Sequence, residues 1–421
     1  MMRIVHPWAL AAALVGTAIA QIGPKAAQSS PGDGSLTMPY IIRNPGPEYA
    51  DAKRMFQGIP SIAVAPGGRL WATWYGGGEG EGKDNYVMLA TSGDAGKTWS
   101  PPKLIVNPPF RASEPAVWLD PQNRLWFVFN LYPLRTSKRD TAYYQEKFGN
   151  ADSFTGFIRQ YSLAGMQLWA MVAEDPDAPD PAWSEPRLIA MEHFTMNKPT
   201  VLSTGAWLWP AGPLQRRQAR VAVGPLFSED QGKTFQHRGE VPIVEQFRDS
   251  DEYQVVERKD GSLWLLNRTK YGVGESFSFD GGKTWTELAR SKIAHTVSRF
   301  FITRLKSGNL LLVKHGAIDQ SIGRSRLMAF VSADDGKTWQ GGLMLDERKD
   351  VTYPDGMQAS DGQIYLIYDH GRSTEKEILL SVFTEADAMA GKPVSDQTRL
   401  RQIVNKASGV NPRAAAKQGE P

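Results

Sequence analysis

Cysteine is absent from all 421 residues, so no disulfide framework exists. Histidine is scarce, at 6 residues, and no histidine and carboxylate spacing has the pattern of a metal site. Neither sign of charge is in excess. Lys and Arg number 48 against 45 Asp and Glu, a net charge of +3, which gives no case for nucleic acid. No basic helix is written for a membrane surface, and no stretch beyond residue 20 is apolar and long enough to cross a bilayer. The glycine-rich stretch Tyr75 to Asp84 lacks the Gly-Lys-Ser/Thr of a phosphate-binding loop.

What is abundant is turn chemistry and tryptophan: Gly 40, Pro 28 and Trp 13 favour many short strands joined by tight turns. Length alone suggests two or three domains, but closed all-β folds often exceed that prior. One pattern recurs four times, at Ser92 to Trp99, Ser228 to Phe235, Ser278 to Trp285 and Ser332 to Trp339. It reads Ser-x-Asp-x-Gly-x-Thr-aromatic. Ser and Asp side chains bond back to their own backbone, Gly supplies positive φ, and the aromatic gives a large body to bury beside the turn. The last three copies start 50 and 54 residues apart, the length of one four-stranded propeller blade. The pattern resembles the Asp-box, or bacterial neuraminidase repeat, of sialidase-type β-propellers. It marks architecture, not chemistry.

The chain divides accordingly. Residues 1–20, with Arg3 and His6 ahead of the apolar run Trp8 to Ala20, read as a signal peptide ending in Ala18-Ile19-Ala20. The expected location is therefore secreted or periplasmic, with no membrane span after cleavage. Residues 21–40 read as a linker, 41–390 as an all-β six-bladed propeller, and 391–421 as a polar tail that wraps onto blade one or stays loose. Degenerate boxes are expected at Glu174 to Trp183 and at Thr384 to Asp387. An irregular polar stretch, Arg135 to Ser162, is expected to loop over one rim. Blade three is expected to include Arg220 to Val223.

Over roughly residues 45–390 the chain resembles the exo-sialidase superfamily. The segment Asp251-Glu252-Tyr253-Gln254-Val255-Val256-Glu257, followed by Asp260-Gly261-Ser262-Leu263, is similar to the family's Asn-Glu-x-x-Val-Val-Glu motif and its Asp-Gly turn. The resemblance implies that Glu252 is a general base and that Arg268, 16 residues on, is one arginine of a carboxylate-binding triad. It assigns a second triad arginine to Arg324, eight residues before Ser332, with Arg326 as the rival on the same strand face. Tyr353, nine residues before Gly362, falls on the nucleophile. A neutral phenol suits an anomeric carbon that bears a carboxylate, because an anionic nucleophile would be repelled there. Guanidinium groups suit the carboxylate through charge-assisted, bidentate bonds.

Two positions depart from the family. Its first triad arginine lies in an Arg-Ile-Pro motif, and here the place reads Gln57-Gly58-Ile59-Pro60. Arg54 and Arg111 are the nearby arginines that could reach in. The family's acid is an Asp; here Glu81 falls at that place, with Glu79 and Asp84 as rivals. The resemblance implies an exo-glycosidase that removes a terminal acidic sugar, sialic acid or a relative, from a glycan, with no cofactor. Alternatives are a propeller enzyme on another glycan, such as a uronate lyase or a rhamnosidase-like hydrolase, and a glycan-binding propeller without turnover.

Overall fold

A computed structural model of the chain describes residues 40–108, 110–132, 166–213 and 221–410. Six antiparallel sheets stand around a common axis as the blades of a β-propeller, one of five strands and five of four strands. The innermost strands are Phe56–Val64, Arg111–Leu119, Thr200–Val201, Gln254–Glu257, Phe301–Arg304 and Val351–Gln358. Second strands such as Leu70–Gly77, Leu125–Tyr132 and Ile364–His370 are buried along nearly all of their length. Both faces of each blade are covered by neighbouring blades, so these strands read as continuous apolar runs, not as alternating ones. The expected signal peptide, most of the expected linker, the stretch Arg135 to Ser162 and the last residues of the tail lie outside the described residues. Among the described residues no helix is long and apolar enough to cross a membrane.

The four boxes are built alike, each between the third and fourth strands of its blade. In the copy at 332, Ser332 Oγ donates to Asp334 Oδ1 at 2.8 Å and accepts from Gly336 N at 2.8 Å. Thr338 then donates to Asp334 through its backbone N at 2.8 Å and its hydroxyl at 2.6 Å. Three bonds to one half-buried carboxylate hold Asp334 down at about 2, well below the usual carboxylate value. The box glycines have φ between +82° and +85°, and each lies against the preceding blade. A Cβ at Gly336 would meet Trp264 of blade four at 2.4 Å, one at Gly232 would meet Trp126 of blade two at 2.8 Å as well as Trp207 of its own blade at 2.4 Å, and one at Gly96 would meet Leu380 of blade six at 2.5 Å. Small size as well as backbone conformation therefore selects glycine.

Where boxes were expected to be degenerate, other groups fill the place. Trp183 stands edge-on to Trp71 at 6.1 Å, while Asp177 accepts from Gly67 N at 2.8 Å. At 384 the chain turns into the helix Glu385–Ala390, with Thr384 as N-cap in a reciprocal capping box with Asp387. Two expectations are corrected. Val221–Val223 pairs with Val241–Ile243 as a separate ribbon, and Leu226–Ser228 takes the third place in blade three. The last blade does not end at residue 390: Arg399–Lys406 pairs with Glu377–Phe383 as its outer strand. The chain then returns to blade one, where Ser408 N and Gly409 N donate to the carbonyls of Asp51 and Arg54.

Candidate active site

Starts of first strands, ends of second strands and starts of third strands meet at one end of the axis. The first strands of blades one, two and six share a device there. Each carries an X-Pro step inside a bulge: Ile59-Pro60, Glu114-Pro115 and Tyr353-Pro354. The residue before the proline takes a left-handed backbone, with φ 55° at Ile59, 44° at Glu114 and 53° at Tyr353. Left-handed backbone is an outlier for a branched or bulky residue, and it reorients the side chain at a sheet edge.

Tyr353 is 5% exposed and belongs to a buried apolar cluster that includes Phe56, Ile59 and Tyr75. Its hydroxyl donates to Glu252 Oε1 at 2.9 Å and accepts from Arg268 Nη1 at 3.1 Å. Arg268 Nη1 also donates to Glu252 Oε1 at 2.8 Å, which closes a triangle of phenol, carboxylate and guanidinium. Asp249 ion-pairs with Arg268 Nε at 2.5 Å from the other side. Burial and the adjacent Glu252 push the Tyr353 phenol up, against the pull of Arg268, Arg372 and Arg324, so Tyr353 is a neutral phenol at physiological pH. Arg324 lies 5.8 Å from the Tyr353 ring centroid and donates to Val297 O at 3.4 Å.

A third guanidinium, which no sequence motif marks, stands over the ring closer than Arg324. Arg372, in the turn after Ile364–His370, lies 4.9 Å from the Tyr353 centroid. Its stem crosses blade one where the side chain of residue 58 would stand: a Cβ on Gly58 would meet Arg372 Cδ at 2.3 Å and Cγ at 2.6 Å. Asp369, fully buried beside it, accepts from Ile59 N at 2.7 Å. An arginine of blade six thus runs through the space that a side chain in the Gln57-Gly58-Ile59-Pro60 segment would take. The sequence carried half of that signal, a glycine where bulk was expected.

The remaining candidates separate. Glu81 reaches the cluster, with Oε1 2.7 Å from Arg372 Nη1 and Oε2 3.6 Å from Arg111 Nη2. Asp84 is engaged by Lys83 at 3.3 Å. Arg111 bridges blades two and one: it donates to the buried Glu114 at 3.0 Å and to Tyr75 Oη at 3.3 Å, and lies over the Tyr132 ring. Burial pushes the Glu114 carboxyl up, and Tyr132 and Ser113 both donate to it. Two expectations fail. Arg54 is fully buried away from the cluster and ties Tyr49 O, Gln57, Asp51 and Asn405 together. Arg326 is exposed, because a bulge between Ser325 and Leu327 breaks the alternation that would have put it beside Arg324. Of the histidines, His315 bonds His295 at 3.0 Å and Val351 O at 2.7 Å, and burial holds it down to about 4.

A cavity of about 220 Å³ opens at the opposite end of the axis, among first-strand ends such as Trp118, Thr303 and Met357. It contains none of the residues around Tyr353.

Residues 68–366 match the sequence pattern of the BNR repeat-like domain, well over half of the chain. The chain belongs to the BNR repeat-like domain family. Among solved structures, the intramolecular trans-sialidase from Ruminococcus gnavus, in complex with oseltamivir carboxylate, aligns with TM-score 0.56 at 15% identity, over 82% of this chain and 98% of that one. The NanB sialidase from Streptococcus pneumoniae aligns with TM-score 0.57 at 14% identity, over 80% and 70%. A protein of unknown function from Dyadobacter fermentans aligns with TM-score 0.54 at 18% identity, over 75% and 91%. Identities this low show a common fold. No curated protein matches the sequence.

Proposed function

We propose that this BNR repeat-like propeller is an exported exo-glycosidase that hydrolyses a terminal acidic sugar, sialic acid or a relative, from a glycan. The observation that carries the reading is the Tyr353–Glu252–Arg268 triangle, with two further guanidiniums over the same phenol. Tyr353 Oη attacks the anomeric carbon while Glu252 takes the phenolic proton. Arg268, Arg324 and Arg372 hold the substrate carboxylate, and Glu81 gives its proton to the leaving oxygen as that bond breaks. Water then releases the sugar from Tyr353 by the same chemistry reversed, with retained configuration.

The test is a screen of sialosides, uronate glycans and rhamnosides with purified protein, with the released product identified. A free acidic sugar is the expected product; an unsaturated uronate absorbing in the near ultraviolet would instead make the protein a lyase. Tyr353→Phe is expected to lower turnover about 10²- to 10⁴-fold, the range typical of a positioned proton-transfer pair. Wild-type turnover in that variant removes the nucleophile assignment.

A further inference from the structure

The mouth of the site already contains a carboxylate with no partner but exchangeable ones. Glu81 touches Arg372 through a single oxygen at 2.7 Å, and its second oxygen faces a different cation, Arg111, at 3.6 Å. The carboxylate bonded to the Tyr353 hydroxyl is fixed. Glu252 and Arg268 are 1% and 10% exposed as side chains, and Tyr353 bonds them both. Glu81 and Arg372 are 44% and 19% exposed, so water screens their pair and its loss is inexpensive. Of the two ion-paired guanidiniums at the Tyr353 phenol, Arg268 and Arg372, Arg372 is therefore the one more easily given to an incoming anion.

The backbone around Glu81 points the same way. Gly80 and Gly82 flank it, and a Cβ on either would have no heavy atom within 4 Å. Neither glycine has a left-handed φ. Packing and backbone geometry thus leave both positions open to other residues, and what glycine adds is conformational freedom. Asn85, fully buried, holds the base of this segment by donating to Gly80 O at 2.9 Å and accepting from Gly82 N at 2.6 Å. The carboxylate can swing while the segment stays attached.

We propose that Glu81 is a built-in stand-in for the carboxylate of the ligand: it occupies Arg372 in the empty site and is displaced when an acidic ligand binds. Arg372 then selects acids, because only a carboxylate replaces what Glu81 withdraws. A neutral sugar would leave Arg372 paired with Glu81 and gain nothing from it. The proposal rests on the carboxylate-binding part of the reading above, and it does not depend on which sugar is cleaved or on whether Tyr353 is the nucleophile.

The experiment uses pyruvate, a small α-keto acid without a sugar ring, titrated into the full-length protein and followed by calorimetry or ligand-observed NMR. Glu81→Gln keeps the size of the side chain and removes its charge. It is expected to bind pyruvate about fivefold more tightly than the wild type, the scale of one partly exposed ion pair. Arg372→Ala is expected to lose that binding, and Glu81→Gln in the Arg372→Ala background is expected to give no gain. Arg372→Lys keeps the charge without the fork and serves if Arg372→Ala does not fold. Unchanged, weaker or absent pyruvate binding in Glu81→Gln overturns the proposal, as does a gain that persists without Arg372. Sialoside turnover measured alongside separates the two readings: the pyruvate pattern without turnover keeps the exchange and discards the sugar, and turnover without the pyruvate pattern does the reverse.

Discussion

Tyr353 carries its phenol on a backbone that tyrosine rarely adopts, and the surroundings hold it there. A left-handed non-glycine residue costs about 1–3 kcal/mol. At Tyr353 that is offset by Pro354, which fixes the next φ, by burial in the cluster with Phe56, Ile59 and Tyr75, and by the bonds to Glu252 and Arg268. Gly58 has the complementary task of leaving room for Arg372. Gly58→Ala is expected to push the Arg372 stem aside, since the new Cβ would lie 2.3 Å from Arg372 Cδ. The side chain is flexible, so the expected result is a folded protein whose KM for an acidic substrate rises more than its kcat falls. Gly58→Arg combined with Arg372→Gly should recover part of the loss by returning the guanidinium from blade one. Equal kinetics in Gly58→Ala and the wild type would show that Arg372 does not bind the substrate. Glu252, Arg268, Arg324 and Tyr353 were legible in the sequence because each stands at a fixed distance from a turn or box in its own blade. Arg372 was not, because its neighbour Gly58 lies at the other end of the chain. Arg326 misled because a bulge, which shifts the side-chain period by one, leaves no mark in composition.

At the scale of the element, the boxes make acid sensitivity a repeated property. Asp94, Asp230, Asp280 and Asp334 are all held at about 2 by hydroxyl and backbone N–H donors. An unfolded aspartate titrates near 3.9. The folded value is the lower one, so the box contribution is fully present above about pH 4 and is lost as pH falls toward about 2. Melting temperature is therefore expected to fall over that interval, and Asp334→Asn is expected to melt lower at pH 7 and to lose less between pH 5 and 2.5. A variant that tracks the wild type in parallel across the interval would remove the box from the acid response. The boxes were the part of the fold most visible in the sequence, because all of their polar partners lie within eight residues. The substitutes at Trp183 and Thr384 were visible only as the absence of a good copy. The ribbon Val221–Val223 reads as a blade strand in the sequence because three apolar residues carry no record of which strand they pair with.

At the scale of the whole molecule, the question is how a ring of six sheets is closed. Outer closure comes from the box of blade one on Leu380 and from Arg399, which donates to Ala95 O at 2.7 Å. Arg54, Asp51 and Asn405 bind the first blade to the last strand. Inner closure centres on Asp355. Its Oδ2 accepts from Ser61 Oγ at 2.7 Å and Ile62 N at 3.0 Å, both from blade one, and from Lys198 Nζ at 2.7 Å, just before blade three. Its Oδ1 lies 3.4 Å from Arg299 Nη2, just before blade five. One buried carboxylate thus serves strands or their approaches in four of the six blades. The buried Arg299 and the half-buried Lys198 share it, and desolvation pushes the Lys198 ammonium down while Asp355 holds it up. Removing one partner of a buried ion pair costs about 3–5 kcal/mol, because the other charge is left uncompensated. Asp355→Ala is expected to lower stability by about that amount in urea unfolding. Lys198→Met added to Asp355→Ala should recover part of the loss, since it removes one stranded ammonium and leaves an apolar stem among Ile62 and Gly356, whose carbonyls Lys198 now binds. A single-variant loss below about 1 kcal/mol, the level of an exposed pair, would mean that the ring does not depend on its axis and is held by its blade interfaces alone.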